Sequence, residues 1–265
     1  MRSIRAVGRI TVRDSEIAFD QVGGGDRDLV LVHGFQQARS AWAPFVERFD
    51  GDQVRITMFD LVGCGDSAPA SAPARCRIEE YACDLLALCD ELSLSSPVVV
   101  GHSLGGAAAV QAALDQPERF RALVLVAPAS TTGLDFVTDD GFDRLSHPTE
   151  EDRRTLARAA FRKPLPQADF EALMAVVSRA TPEHIEGAAE SMREFDRITD
   201  LGRLRLPTLL ICGDRDGHVP LRNHLATQQA IPRSRLQVYF DIGHVPFVET
   251  PDLFATDVRR FLDSL

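Results

Sequence analysis

Residues 29–32, 98–100 and 122–126 are short, unbroken apolar runs, the pattern of strands buried on both faces. Residues 54–59, 207–212 and 236–240 read as further strands, and residues 4–13 and 16–22 form an opening pair turning at Asp14-Ser15. Between these runs the period lengthens to that of a helix. Trp42, Phe45 and Phe49 share one face of a helix over residues 41–49. Ile78, Tyr81, Ala82, Leu85, Cys89 and Leu92 form a second stripe, and Phe254, Val258, Phe261, Leu262 and Leu265 a closing one. Strand and helix alternate, which predicts an α/β fold: a mostly parallel sheet with helices on both faces. In such sheets ligands bind at the carboxyl ends of the strands.

The alternation breaks between Ser130 and Leu206. Residues 149–161 open on a threonine cap and a run of acids, and predict a helix. Phe170, Leu173, Met174 and Val177 predict another, and Ile185, Ala188, Ala189 and Met192 a third, capped by Thr181-Pro182. The expectation is a helical cap over residues 130–204, inserted into a core of residues 1–129 and 205–265. Such a cap would exclude water and shape a pocket above the strand ends.

The chain has 265 residues, 45% of them hydrophobic, enough to bury a core without disulfide staples. Its five cysteines form no metal-like pair and read as reduced thiols, with a cytoplasmic location as the default. Residues 1–5 carry no apolar signal core, and no run is long enough to cross a bilayer. The formal net charge of −10 opposes nucleic acid or an anionic membrane as partner. Neither a metal nor a cofactor is implied. Asp60-Leu61-Val62-Gly63-Cys64-Gly65 lacks the third glycine of a dinucleotide site and reads as a structural turn.

The candidate chemistry centres on Gly101-His102-Ser103-Leu104-Gly105, which follows an apolar run and opens an alanine-rich helix. A strand turning sharply into a helix leaves the serine at a strained corner with its hydroxyl outward. The Leu104 amide has no intrahelical partner and is free to stabilise an oxyanion. The strand ending at His33-Gly34-Phe35 would supply a second such amide from Phe35. The His33 side chain reads as structural. A serine needs a base, and the base an acid. His244 lies just past the last strand, beside Gly243; Asp214 and Asp216 both follow the strand before it. His218 is a distant second as base. His102 is expected to line or support the substrate pocket, as is Phe35. His147, His184 and His224 read as surface residues.

His33-Gly34-Phe35, Gly101-His102-Ser103-Leu104-Gly105, Gly213-Asp214-Arg215-Asp216 with Val219-Pro220, and Gly243-His244 together resemble the α/β-hydrolase superfamily. The motifs fall in that family's order and span most of the chain. The resemblance implies an eight-stranded sheet, a Ser-His-Asp triad and no cofactor. The family spacing Gly-x-x-Asp-x-x-Val-Pro selects Asp216 over Asp214. The strand before ends in Ala127-Pro128-Ala129 and offers no carboxylate. A serine where dehalogenases and epoxide hydrolases carry aspartate sets this chain apart from them. Residues 33–42 and 59–65 are also similar to a subgroup holding bacterial stress-signalling hydrolases and plant hormone receptors.

The expected function is hydrolysis of a small carboxylic ester or lactone: Ser103 attacks, His244 transfers the proton, Asp216 orients His244, and the Phe35 and Leu104 amides hold the oxyanion. Two alternatives remain at this point. One is a ligand sensor or partner-binding signalling protein on the same scaffold, with a protein partner possible. The other is hydrolysis of a thioester, amide or carbon–carbon bond by the same residues.

Overall fold

The computed structural model describes residues 4–49 and 53–265; Met1, Arg2 and Ser3 at the head of the opening segment lie outside the described residues. Strands β1 (Ile4–Val12) and β2 (Ser15–Gly23) form a hairpin, followed by β3 (Arg27–Val32), helix α1 (Ala43–Arg48), β4 (Val54–Phe59) and α2 (Ile78–Glu91). Next come β5 (Val98–His102), α3 (Leu104–Asp115) and β6 (Ala122–Val126). Four helices then intervene: α4 (Asp139–Ser146), α5 (Glu150–Ala159), α6 (Gln167–Val177) and α7 (Pro182–Glu194). The chain closes with β7 (Thr208–Gly213), α8 (Leu221–Ala230), β8 (Ser234–Tyr239), α9 (Pro246–Glu249) and α10 (Pro251–Asp263).

The strands make one eight-stranded sheet in the order β1-β2-β4-β3-β5-β6-β7-β8. The β1–β2 and β2–β4 pairings are antiparallel; from β4 to β8 in sheet order every pairing is parallel. Alternation along each strand divides the core. Val30, Val32, Val99, Leu123 and Leu125 face α2 and α3, whereas Leu29, Leu31, Val98, Val100, Val124 and Ile211 face α1, α9 and α10. A run apolar at every position is what a sheet covered on both sides requires. Trp42, Phe45 and Phe49 are buried in the second layer, as their spacing predicts.

Four differences from the sequence expectation have physical causes. The first helix is split: a 3-10 turn over Arg39–Trp42 precedes α1, with Pro44 in the first turn of the α-helix. The intervening segment carries four helices rather than about three; α4 has only two large apolar residues, Phe142 and Leu145, too few to announce a stripe, and only Ser146 is buried along it. Helix α8 was not expected, because its buried face is polar: Asn223, His224 and Thr227. His184 and His224, read as surface residues, are both buried. His184 stands four residues before Ala188 and eight before Met192, so it shares the inner stripe of α7. His147 is exposed, as expected.

The other caps follow the sequence. Thr149 and Asp152 form a capping box on α5, and the Thr181 hydroxyl accepts from the His184 amide at the head of α7. The loop after β4 is a structural turn: the buried Asp60 carboxylate accepts from the Arg39 amide at 2.6 Å and the Asp66 amide at 2.8 Å, and pairs with the Arg39 guanidinium. Among the described residues no helix is long and apolar enough to cross a membrane.

Candidate active site

Ser103 sits where β5 becomes α3, at φ 50° and ψ −117°. This backbone conformation costs a non-glycine residue roughly 1–3 kcal/mol, so its surroundings must enforce it. They do. The Ser103 amide donates to the Val126 carbonyl at 3.0 Å, and its own carbonyl accepts from Gly106, Ala107 and Ala129. A Cβ at Gly105 would stand 2.5 Å from the Val32 and His33 carbonyl oxygens, and one at Gly101 would stand 2.5 Å from the Gly105 carbonyl oxygen. The close approach of α3 to the end of β3 therefore requires glycine at 105, and its approach to β5 requires glycine at 101.

Beyond the carboxyl end of β8, the His244 amide donates to the Ala160 carbonyl at 2.8 Å, and the Gly243 amide donates to Glu249 Oε1 at 2.8 Å. The His244 ring reaches Asp216 Oδ2 with Nδ1 at 2.8 Å. Asp216 Oδ1 accepts from the His218 and Val219 amides at 2.8 and 2.9 Å, and Oδ2 also lies 3.4 Å from His224 Nε2. Burial would raise the Asp216 carboxyl, but the neighbouring His244 and His224 hold it well below its ordinary value. Asp214 takes no part: its Oδ1 accepts from the Asp241 amide at 2.7 Å. Of the two carboxylates, the one that contacts His244 is Asp216, the one the motif spacing also selects.

Two histidines flank His244. His102 Nδ1 lies 3.0 Å from Gln37 Oε1 and its Nε2 lies 3.0 Å from the His244 carbonyl, and the neutral ring donates to one of these two acceptors. Burial and the neighbouring His244 push its pKa well below the ordinary value. The His218 ring meets that of His244 edge-on at 4.7 Å. His33 is buried and holds its loop, through Gly34 and the Leu61 amide.

Phe35, His102, Ser103 and His244 line one cavity of about 540 Å³. Its other walls come from the segment between β6 and β7, including Leu134, Phe136, Leu156, Leu173, Val177 and Met192. Among the described residues neither the Phe35 nor the Leu104 amide donates a hydrogen bond. Two unengaged backbone donors near a serine suit a developing oxyanion. No cluster of side chains suited to a metal ion occurs among the described residues.

The profile of the alpha/beta hydrolase family matches residues 29–258. The chain belongs to this family. Across it, this α/β-hydrolase is 30% identical over 254 residues to a pimeloyl-[acyl-carrier protein] methyl ester esterase of Aliivibrio salmonicida, covering 91% of this chain and 94% of that one. It is 27% identical over 268 residues to a 2-hydroxy-6-oxononadienedioate/2-hydroxy-6-oxononatrienedioate hydrolase of a Pseudomonas species, covering 94% and 92%. An esterase of Exiguobacterium antarcticum shares the fold with a TM-score of 0.88 at 21% identity, over 97% of this chain and 100% of that one. The relatives are named esterases and hydrolases, and this chain is an enzyme of that kind.

Proposed function

We propose that the protein is a serine hydrolase of carboxylic esters, lactones included, working through Ser103, His244 and Asp216. The observation that carries this reading is the 2.8 Å contact of His244 Nδ1 with Asp216 Oδ2, beside a cavity that Ser103 and His244 both line. That contact fixes the ring with its proton on Nδ1 and leaves Nε2 as the base. Ser103 Oγ gives its proton to Nε2 as it bonds to the carbonyl carbon. The carbonyl oxygen becomes an oxyanion held by the Phe35 and Leu104 amides. Collapse expels the alcohol, which takes the proton from His244, and leaves an acyl-serine. Water then enters, gives a proton to His244, and releases the acid while Ser103 recovers its hydrogen. Ser103 and His244 line the same cavity without a hydrogen bond between their side chains among the described residues; catalytic bonds of this kind are often long without substrate and tighten in the complex.

Residues 130–204 act as a cap over the core of residues 1–129 and 205–265 in this reading. The apolar walls contributed by that segment suit the hydrocarbon part of an acyl or alcohol group. The two relatives' names suggest the compounds to add: a pimeloyl methyl ester and 2-hydroxy-6-oxononadienedioate.

The test is turnover of a short p-nitrophenyl ester, a lactone series and those two compounds by wild type and Ser103→Ala. A loss of roughly a thousandfold or more is expected in the variant. Equal rates in the two proteins would remove Ser103 from the mechanism.

A further inference from the structure

The segment from Gly34 to Gln37 holds an unfavourable conformation that it cannot support alone. Gln36 lies in the left-handed region at φ 55° although it is not glycine. Its side chain is buried, with neither Oε1 nor Nε2 hydrogen-bonded among the described residues. What secures it is a residue nearly 150 positions away. The Gln36 amide donates to His184 Nε2, on α7, at 3.2 Å.

The protons around His184 have a single consistent arrangement. Nε2 accepts from Gln36, so it must carry the lone pair, and the ring proton sits on Nδ1. Nδ1 lies 2.7 Å from the Tyr81 hydroxyl, which donates onward to the Val62 carbonyl at 3.0 Å. Tyr81 thereby fixes which face of His184 accepts. Burial, with His33 nearby, pushes the ring's pKa down to about 3, so it stays neutral and able to accept. The ring also stacks on Phe35, with centroids 5.4 Å apart and planes 26° apart. On the other side of Phe35, the Gly34 amide donates to Gln37 Oε1 at 3.0 Å. The Phe35 amide thus lies between two anchored amides while remaining unengaged itself. His184 does not line the cavity. Its helix is fastened to the core by the Thr181 amide, which donates to the Gly63 carbonyl, and by the Ser191 hydroxyl, which accepts from the Ile78 amide, both at 2.9 Å.

We propose that His184, in the segment between β6 and β7, is a positioning residue for the Phe35 amide, acting through its Nε2 bond to Gln36 and aligned by Tyr81. The inference rests on the oxyanion role given to Phe35 above. It makes the inserted segment part of the catalytic geometry as well as of the pocket wall.

Two substitutions separate the two sides of the ring. His184→Gln places an amide oxygen near the Nε2 position and keeps an acceptor for Gln36. His184→Asn reaches only the Nδ1 side, keeping Tyr81 but losing Gln36. With the p-nitrophenyl ester, His184→Asn should lower kcat about 10- to 100-fold with KM within about twofold. Its affinity for a trifluoromethyl ketone, which forms a tetrahedral oxyanion on serine, should fall by the same factor. His184→Gln should regain most of both. Tyr81→Phe, which frees the tautomer, should lower kcat by a smaller factor at unchanged KM. Equal kcat in the Asn and Gln variants would overturn the proposal, as would losses that follow Tm and not the acceptor. If His184→Asn does not fold, Tyr81→Phe decides, and an unchanged kcat there refutes the role. Full turnover by Ser103→Ala would instead defeat the serine mechanism itself; an inactive Ser103→Ala with indistinguishable His184 variants defeats only this inference.

Discussion

Asp216→Asn, read beside Asp214→Asn, is the sharpest probe of the site. In the wild-type protein Asp216 Oδ1 is held by two backbone amides, so an asparagine there keeps its oxygen on them and turns its NH₂ toward His244. A donor facing Nδ1 forces the ring proton to Nε2, where it blocks acceptance from Ser103. The imidazolium formed in the reaction also loses its counter-charge. Two unit charges at the 2.8 Å of that contact attract by about 6 kcal/mol at an effective dielectric of about 20. A loss of roughly 10⁴ in kcat, about 5.5 kcal/mol of barrier, is of the same size. Asp214→Asn should do little, since its amide oxygen can still accept from Asp241, and kcat should stay within about threefold of wild type. The assay is saturating ester hydrolysis near neutral pH, with circular dichroism to show that both variants fold. Combining Asp216→Asn with Ser103→Ala should add nothing to the serine loss. An Asp216→Asn enzyme within tenfold of wild type, or an Asp214→Asn enzyme that is the impaired one, would refute the assignment.

Two further outcomes follow from packing and burial. In Gly105→Ala the new Cβ must retreat about 0.9 Å, from 2.5 Å to an ordinary contact of 3.4 Å. That shifts α3 and with it the Leu104 amide. A stability loss of about 1–3 kcal/mol in urea and a kcat loss of about a hundredfold are expected; unaltered kcat would show that Leu104 holds no oxyanion. Because His184 drops from an ordinary 6.5 to about 3 in the folded protein, its contribution to stability is complete above pH 6.5 and is lost as the pH falls toward 3. The slope is about 1.4 kcal/mol per pH unit, or about 2 kcal/mol between pH 6.5 and 5. Urea midpoints at pH 7 and 5 should therefore converge more closely in His184→Gln than in wild type, and identical pH dependence in both would contradict it.

The sheet was legible because its inner strands are apolar at every position, which few other environments demand. The serine corner was legible because Gly101 and Gly105 mark a backbone approach that no side chain permits. Polar burial was not. Asn223, His224 and Thr227 look like a solvated face until Ser130, Asp216 and Thr131 are seen to receive them. His184 has the same history: its position on the inner stripe of α7 was a signal available in the spacing, but its partners Gln36 and Tyr81 lie 148 and 103 residues away. The last strand shows the opposite error. Residues 236–240 favour a strand to Phe240, yet β8 stops at Tyr239 and Phe240 is 82% exposed, because the chain turns at Asp241 with φ 57°. Propensity reports what a residue tolerates, whereas the end of an edge strand is set by the loop that follows.

The contacts of the inserted segment bear on how such an enzyme changes substrate. Ala160, just after α5, holds the His244 amide; His184, on α7, holds the Gln36 amide; other residues of the segment wall the cavity. A segment that only covered the site could be exchanged freely, and the change would fall on KM. Here two backbone anchors, one at His244 and one beside Phe35, arise from the same segment as the wall. In the proposed mechanism specificity and rate are therefore linked through 2.8 and 3.2 Å hydrogen bonds, since a rewritten cavity wall must still return an acceptor to each of those amides. Substitutions on the cavity-facing side, such as Leu173 or Val177, leave both anchors in place and should move substrate range without disturbing the Phe35 and Leu104 amides to which the proposal gives the oxyanion.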